Sequence, residues 1–178
     1  MLEDRTKLTK KMNDTPSVFG ITGWKNSGKT TLMERLIEEF TFRGLVVSAV
    51  KHAHHSFDID HVNRDSYKFR SAGARRTAIV SRNRWAMIHE LREEDEPPLA
   101  EILEHIGTCD LILVEGYKRE STTKIEVRNL ENNDKILSPD DPSIVAVAFQ
   151  GKRQEEVLPS FDVDDVSEIA DFIQQQVM

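Results

Sequence analysis

Apolar and polar positions alternate in blocks along most of this chain. Residues 18–22 form a short apolar run that predicts a buried strand, and residues 30–43 then repeat apolar side chains at helical spacing. The β-branched run at residues 45–50 predicts a second buried strand. Strand, helix and strand in this order make a βαβ unit, whose two strands are expected to be parallel.

The remaining patterns continue this alternation. Residues 63–74 predict a helix, and residues 76–80 and 85–91 predict a β-hairpin across a turn-prone segment. The later predicted elements are a helix at 97–107, strands at 111–114, 124–127 and 144–149, and a closing helix at 163–177. The pattern predicts a three-layer α/β fold, with a mostly parallel central sheet, helices on both of its faces and the hairpin as an extension.

Composition bounds the class of protein. With 178 residues, of which 38% are hydrophobic, the chain is expected to form one domain at residues 16–178. Residues 1–15 are mostly charged or polar, and we interpret them as a mobile tail. The net charge of -7 argues against a nucleic-acid partner.

The chain lacks the long apolar run of a membrane span and the apolar segment of a secretory signal. Its one cysteine, Cys109, cannot form an intramolecular disulfide, which fits a reducing compartment. We therefore expect a cytoplasmic protein that has no membrane partner.

The sequence GWKNSGKT at residues 23–30 fits the phosphate-loop pattern G-x-x-x-x-G-K-[ST]. The alternative is a chance match in a glycine-containing turn, but the motif lies between a predicted strand and a predicted helix, as its function requires. Lys29 would place an ammonium on the outer phosphates, and the Thr30 hydroxyl would be an oxygen ligand for Mg²⁺. The candidate nucleotide-binding residues of the motif are Gly23, Lys25, Asn26, Ser27, Gly28, Lys29 and Thr30.

Carboxylates follow two of the predicted strands. Glu115 comes directly after the apolar run at 111–114, where a phosphate-loop protein needs a carboxylate for its magnesium, although a solvated strand end is the alternative. Asp58 and Asp60 follow the second strand and alternate in an extended segment, so they could hold the metal or its water ligands. We take Lys29, Glu115 and Asp60 as candidate catalytic residues, and Thr30, Asp60 and Glu115 as candidate metal ligands.

Three histidines lie in the same segment, His52, His54 and His55. They could bind zinc, but no cysteine is near and the spacing H-x-x-x-H does not occur. Hydrogen bonds to anionic ligand groups and simple exposure to solvent are the other two interpretations, and the sequence does not decide between them.

Seven segments of the chain together resemble one known family. They read GWKNSGKTTL, KHAHHSFDID, RDSYKFRSAGA, RWAMIHE, DLILVEGYK, TKIEVR and IVAVAF. On these segments the chain is similar to the MobB family of molybdopterin-guanine dinucleotide biosynthesis adaptor proteins, over about residues 18–173. The resemblance implies a P-loop NTPase fold.

The resemblance also implies a function. Proteins of this kind are homodimers that bind GTP with Mg²⁺ and hydrolyse it weakly. They assist a guanylyltransferase that attaches GMP to molybdopterin. The resemblance assigns the metal-side carboxylates to Asp60 and Glu115 and leaves direct binding of molybdopterin open. It assigns phosphate binding to Gly23, Asn26, Ser27, Gly28, Lys29, Thr30 and Thr31.

One departure affects guanine selectivity. The signature N-K-x-D, whose aspartate pairs with guanine in many GTPases, is missing. Lys124 and Glu126 could contact a base, although an ordinary alternating strand explains both residues. Two other functions therefore stay open: a small-molecule kinase that uses ATP, with a basic group at Arg75, Arg76, Arg82 and Arg84, and a molybdopterin carrier.

Overall fold

The computed structural model describes residues 15–53, 57–132, 134–151, 154 and 156–178. The predicted tail at residues 1–15 lies, apart from Thr15, outside this described part and stays a prediction. Contacts between Cα atoms divide the chain into two compact units. The first runs up to His52 and resumes at Leu103, and the second spans Ala53–Ile102.

The first unit is built on a six-stranded parallel sheet. Its strands are β1 (Ser17–Gly23), β2 (Val47–Lys51), β5 (Leu111–Glu115), β6 (Lys124–Asn129), β7 (Ile144–Gln150) and β8 (Ser160–Asp162), in the order β2-β5-β1-β6-β7-β8. Every neighbouring pair is parallel, so all six carboxyl ends lie at one edge of the sheet. Strand β5 is buried throughout, as its unbroken apolar run predicts. The predicted α/β class and parallel central sheet are confirmed.

Two helices cover one face of this sheet, α1 (Lys29–Phe42) and α4 (Val166–Val177). Leu32, Leu36 and Phe40 recur at helical spacing along α1 and are at most 1% exposed. They join a hydrophobic cluster with apolar side chains of α4 and of the strands. Full burial of one such side chain stabilises the fold by roughly 1.5–3 kcal/mol, so packing fixes α1 and its amino end on the sheet. Helix α1 ends at Phe42, and Gly44 follows its C-cap with a left-handed φ of 83°.

The second unit contains α2 (Asp65–Ser71) and an antiparallel hairpin of β3 (Arg76–Val80) and β4 (Trp85–His89). The hairpin was predicted, and its pairing is confirmed. The boundary between the two units falls within α3 (Leu99–Ile106). None of the helices in the described residues is long and apolar enough to cross a lipid bilayer.

Two elements were not predicted. A 3₁₀ turn at Ser138–Asp140 and strand β8 are three residues long each, which is too short for a periodic signal. Helix α2 was predicted at 63–74 and is shorter at both ends, and α4 was predicted from 163 but begins at 166. These errors are in the ends of elements, which local sequence defines weakly.

Candidate nucleotide-binding site

The predicted phosphate loop joins the end of β1 to the start of α1, at the carboxyl edge of the sheet. Its backbone is left-handed at Asn26 (φ 62°) and at Gly28 (φ 95°), and it turns at Gly23 (φ 143°). A Cβ atom on Gly23 would lie 2.4 Å from the carbonyl oxygen of Val127 in β6. Only glycine fits there, so the first glycine of the motif serves both the turn and the close approach of β6.

The Lys29 ammonium lies across its own loop. It donates a hydrogen bond to the carbonyl oxygen of Trp24 and lies 3.5 Å from Ser27 Oγ. Burial lowers the pKa of Lys29, with further lowering by Lys118 and Lys51 and opposition from Glu115. A concentration of positive charge that already disfavours one ammonium is suited to a polyanionic ligand.

Glu115 and Thr30 meet at the same edge. Thr30 Oγ1 donates towards both carboxylate oxygens of Glu115, at 3.3 Å each. Glu115 is only 8% exposed, and Lys51 Nζ lies 3.5 Å from its Oε2. The register explains the meeting, because Glu115 pairs with Ile21 in β1 and with Lys51 in β2. The structure therefore brings together two of the three predicted metal-side residues.

A hydroxyl and a carboxylate so close together fit Mg²⁺, which prefers oxygen ligands and octahedral geometry with several waters. Because the Thr30 hydroxyl lies 3.3 Å from the Glu115 carboxylate oxygens, a single ion beside them can contact both groups. Among the residues that the structure describes, no three His, Cys, Asp or Glu side chains lie close enough together to hold a metal. A magnesium ion here would therefore rely on Thr30, Glu115 and ligand oxygens.

Asp58 and Asp60 lie in the second unit, where both carboxylates approach Arg70. Arg70 Nη2 donates to Asp58 Oδ1 at 2.7 Å, and Arg70 Nε lies 3.7 Å from Asp60 Oδ2. The hydrogen bond from Arg70 to Glu90 is the main cause that raises the pKa of the guanidinium. The sequence predicted that the two aspartates point the same way but did not identify Arg70. The metal role of Asp60 stays a prediction.

The histidines are described only in part. His52 packs its ring 4.8 Å from the ring of Tyr117, and its backbone N–H donates to the carbonyl oxygen of Glu115. His54 and His55 lie outside the described residues, so their predicted role in ligand or zinc binding stays a prediction.

Lys124 and Glu126 are internal partners of the protein. Lys124 is 2% exposed and its ammonium binds Asp141 Oδ2 at 3.1 Å and two backbone carbonyl groups. Glu126 is 1% exposed and accepts hydrogen bonds from the backbone N–H groups of Leu137 and Ser138 and from Arg128. These contacts favour the structural interpretation of both residues over contact with a base.

One contact of the site was missed in the sequence. The Lys118 ammonium lies 3.9 Å from the centre of the Trp24 ring, and Trp24 Nε1 donates to the carbonyl oxygen of Lys135 at 2.5 Å. The chain turns at Gly116 (φ 102°), directly after Glu115, and this turn brings Lys118 over the loop. The position of Lys118 three residues after Glu115 was the sequence signal that could have predicted this contact.

A parallel sheet that ends in a glycine-rich loop and a helix defines an α/β protein with a P-loop-like fold. The family model described as "Molybdopterin guanine dinucleotide synthesis protein B" (MobB) matches residues 18–150. The chain belongs to this family, which confirms the resemblance and places it among the proteins of molybdopterin guanine dinucleotide synthesis.

Curated relatives and solved structures agree. The molybdopterin-guanine dinucleotide biosynthesis adapter protein of Escherichia coli is 35% identical, over 88% of this chain and 90% of the relative. The adapter protein of Haemophilus influenzae is also 35% identical, over 92% of this chain and 90% of the relative. The crystal structure of Bacillus subtilis MobB has a TM-score of 0.69 at 26% identity and covers 91% of this chain and 98% of its own.

Proposed function

We propose that this chain is a GTP-binding adapter that acts in the cytoplasm. It binds GTP with Mg²⁺ at the phosphate loop and assists the guanylyltransferase that attaches GMP to molybdopterin. The names of the relatives support the adapter role. The observation that carries the nucleotide part is the meeting of Thr30 with Glu115 beside the half-buried Lys29.

The residues of the loop have separate tasks. Lys29 exchanges the Trp24 carbonyl for a phosphate oxygen, because a charge-assisted bond to phosphate is stronger than one to a neutral carbonyl. Glu115 accepts from Thr30 and orients its hydroxyl. Bound Mg²⁺ would supply charge neutralisation on the outer phosphates. The amino end of α1 adds the positive end of the helix dipole.

We expect slow GTP hydrolysis because the positive side chains near Glu115 and Lys29 are lysines. Within the described contacts of this site, the cations beside Glu115 and Lys29 are Lys51 and Lys118. Lysine is a point charge, whereas fast nucleoside triphosphatases add a planar arginine that spans the transferred phosphoryl group. We therefore expect a bound triphosphate to persist and the adapter to act mainly through contact with its partner enzyme.

The homodimer belongs to the same proposal. The hairpin exposes Val80 (76%) and Trp85 (69%), and exposed apolar side chains grouped in this way support an interface. Static light scattering measures the particle mass. A monomer at all accessible concentrations would contradict this part.

Calorimetric titration with GTP and with ATP, with and without Mg²⁺, tests the nucleotide part. We expect Mg²⁺-dependent binding with a preference for GTP, whereas a preference for ATP would favour the small-molecule kinase. In Thr30→Val the Mg²⁺-dependent gain in affinity should disappear, because the substitution keeps the shape and removes the hydroxyl. Thr41→Val, at an exposed threonine of the same helix, is the matched control and should bind as wild type.

The adapter part needs its own assay. The purified guanylyltransferase is supplied with molybdopterin and GTP, and formation of molybdopterin guanine dinucleotide is followed with and without this chain. We expect more product with the wild-type chain than with Thr30→Val. Equal product with and without the chain would contradict the adapter role while leaving nucleotide binding intact.

A further inference from the structure

A cavity of about 150 Å³ lies beside the phosphate loop, where β7 and β8 end next to the start of α1. Leu32 and Val163 are its apolar side chains, and its polar wall includes Arg35, Gln150 and Asp164. Gly28 of the phosphate loop also lines it. A cavity of roughly this volume holds one aromatic ring, and this one opens to solvent, so a larger ring system can enter in part.

The cavity is continuous with the loop that would hold the phosphates. A Cβ atom on Gly28 would lie 3.2 Å from Gln150 Oε1, so the end of β7 touches the loop itself. Thr31, in the first turn of α1, lines the cavity too. A nucleotide whose phosphates lie on residues 23–30 therefore has its base within reach of this cavity, at the carboxyl edge where ligands bind in parallel sheets.

The backbone holds Asp164 in place at the cavity wall. Its N–H donates to Asp162 Oδ1 at 2.9 Å, and its carbonyl oxygen accepts from the N–H of Val166 at 2.9 Å. Its Oδ1 forms an ion pair with Arg35 of α1. A carboxylate has about four acceptor positions, so the pair with Arg35 leaves acceptor capacity for a ligand.

Hydrogen-bond chemistry makes Asp164 a discriminating group. An ionised carboxylate only accepts, and guanine presents two donors side by side, the ring N1–H and the 2-amino group. Adenine presents an acceptor at N1 and no 2-amino group, so its edge meets the carboxylate with a lone pair. The Gln150 amide both donates and accepts, and it suits either base.

A second cavity on the other side of the loop is a poorer match. It measures about 240 Å³ and is lined by Trp24, Glu126 and Arg128. The carboxylate of Glu126 already accepts from Leu137, Ser138 and Arg128, so a base would have to displace internal hydrogen bonds. At Asp164 the described hydrogen bonds to the carboxylate come from Arg35 alone, and the side chain is 74% exposed, so a base displaces less there.

We propose that Asp164 selects guanine in the cavity between α1 and the ends of β7 and β8. It takes the role of the aspartate in the missing N-K-x-D signature, but it comes from the end of the next strand along the chain. This inference rests on the proposed binding of GTP and adds the residue that distinguishes GTP from ATP.

The test compares wild type, Asp164→Asn and Asp165→Asn in calorimetric titrations with GTP, ATP and xanthosine triphosphate in the presence of Mg²⁺. Wild type should prefer GTP over ATP by about 100-fold, the scale of two hydrogen bonds to a charged group. Asp164→Asn should lose most of this preference and bind xanthosine triphosphate more tightly than wild type does. The asparagine amide donates to the 2-oxo group of xanthine and accepts from its N1–H. Asp165→Asn, at the adjacent exposed carboxylate, should keep the wild-type order.

The outcomes separate this inference from the function on which it rests. Mg²⁺-dependent GTP binding together with an unchanged base preference in Asp164→Asn would overturn the role of Asp164 and leave the proposed function standing. Absence of triphosphate binding in wild type would overturn both. Circular dichroism melting checks that the variant folds. Inosine triphosphate, which lacks the 2-amino group, gives a second reading on wild type: about tenfold weaker binding than GTP is expected, and equal binding would overturn the proposal.

Discussion

Thr30 Oγ1 lies 3.3 Å from both carboxylate oxygens of Glu115, although 85 positions separate the two residues in the chain. The parallel register of β1 and β5 produces this meeting. Glu115, the last residue of β5, pairs with Ile21 near the end of β1, and the phosphate loop after β1 brings the start of α1 back beside Glu115. One residue supplies a neutral oxygen and the other a charged one, which is the pairing that a magnesium nucleotide requires.

Glu115→Gln removes the charge and keeps the hydrogen bond with Thr30. If Glu115 holds Mg²⁺ as proposed, GTP hydrolysis should fall by about 100-fold, since the amide is a much weaker ligand for the ion than the carboxylate. Binding should change by less than about tenfold, because Lys29 and the loop are unaltered. Single-turnover hydrolysis and calorimetry measure the two effects separately.

Glu38→Gln, at an exposed glutamate of α1, is the matched control for this charge change and should hydrolyse GTP at the wild-type rate. If Glu115→Gln retained Mg²⁺-dependent hydrolysis, Glu115 would have only its structural contacts with Thr30 and Lys51.

Lys29→Ala should weaken triphosphate binding by about 100-fold, the cost of removing a charged donor from a phosphate. Lys25→Ala removes the exposed ammonium of the same loop and should cost much less, because that side chain lies in water before binding. Calorimetry of the two variants side by side gives the comparison. Similar losses in both would mean that the loop attracts the ligand through its total charge and that Lys29 has no special position.

The pH dependence of binding follows from the lowered pKa of Lys29. Burial is the main cause, and Lys118 and Lys51 add to it. The ammonium form binds phosphate, so affinity should be constant near neutral pH and fall as pH rises through the lowered pKa, at a pH below the ordinary value of 10.5. Titrations between about pH 7 and about pH 10 locate the fall.

Lys118→Gln removes one of the charges that repel Lys29, so the fall in affinity should move to higher pH in this variant. The position of the fall is the readout, because the affinity at neutral pH also includes whatever Lys118 itself contributes. A fall at the same pH in both proteins would contradict the stated cause.

The sequence predicted the part of the site that local chemistry defines. Gly23 and Gly28 follow from backbone needs, and Glu115 follows from its position after a buried run. Asp164 could not be found this way, because β8 has three residues and its place beside β7 depends on tertiary packing. The same limit applies to Lys124, which has the pattern of an ordinary strand residue but is 2% exposed.

Asp58 and Asp60 show the limit of inference from alternation. Period-two spacing predicted that their carboxylates point the same way, and both do approach Arg70. The sequence could not identify this partner, because Arg70 lies on α2 and reaches the aspartates only in the folded unit. Local periodicity therefore predicts which residues share a face but not what that face contacts.

Lys124 connects three segments of the first unit. Its buried ammonium binds the carbonyl oxygens of Lys118 and Glu120, in the turn that follows Glu115, and the carboxylate of Asp141. Lys124→Met keeps the length of the side chain and removes these bonds. We expect a loss of about 3 kcal/mol in the free energy of unfolding, since a buried charged donor is removed from two carbonyl groups and from Asp141, which keeps its bonds from Ser143. Urea denaturation measures this loss.

Lys135→Met is the matched control for Lys124→Met, because Lys135 pairs with Asp140 at 2.7 Å but is 73% exposed. An exposed pair contributes about 0–1 kcal/mol, so the control should unfold close to wild type.

Hydrogen bonds from Ser143 and Lys124 outweigh burial and lower the pKa of Asp141 below its ordinary value of 3.8. This carboxylate therefore stabilises the fold above that pH, and the contribution is lost as pH falls through the lowered pKa. Lys124→Met should lose less stability than wild type over that acid range, and equal acid sensitivity in the two proteins would show that the pair does not hold Asp141 ionised.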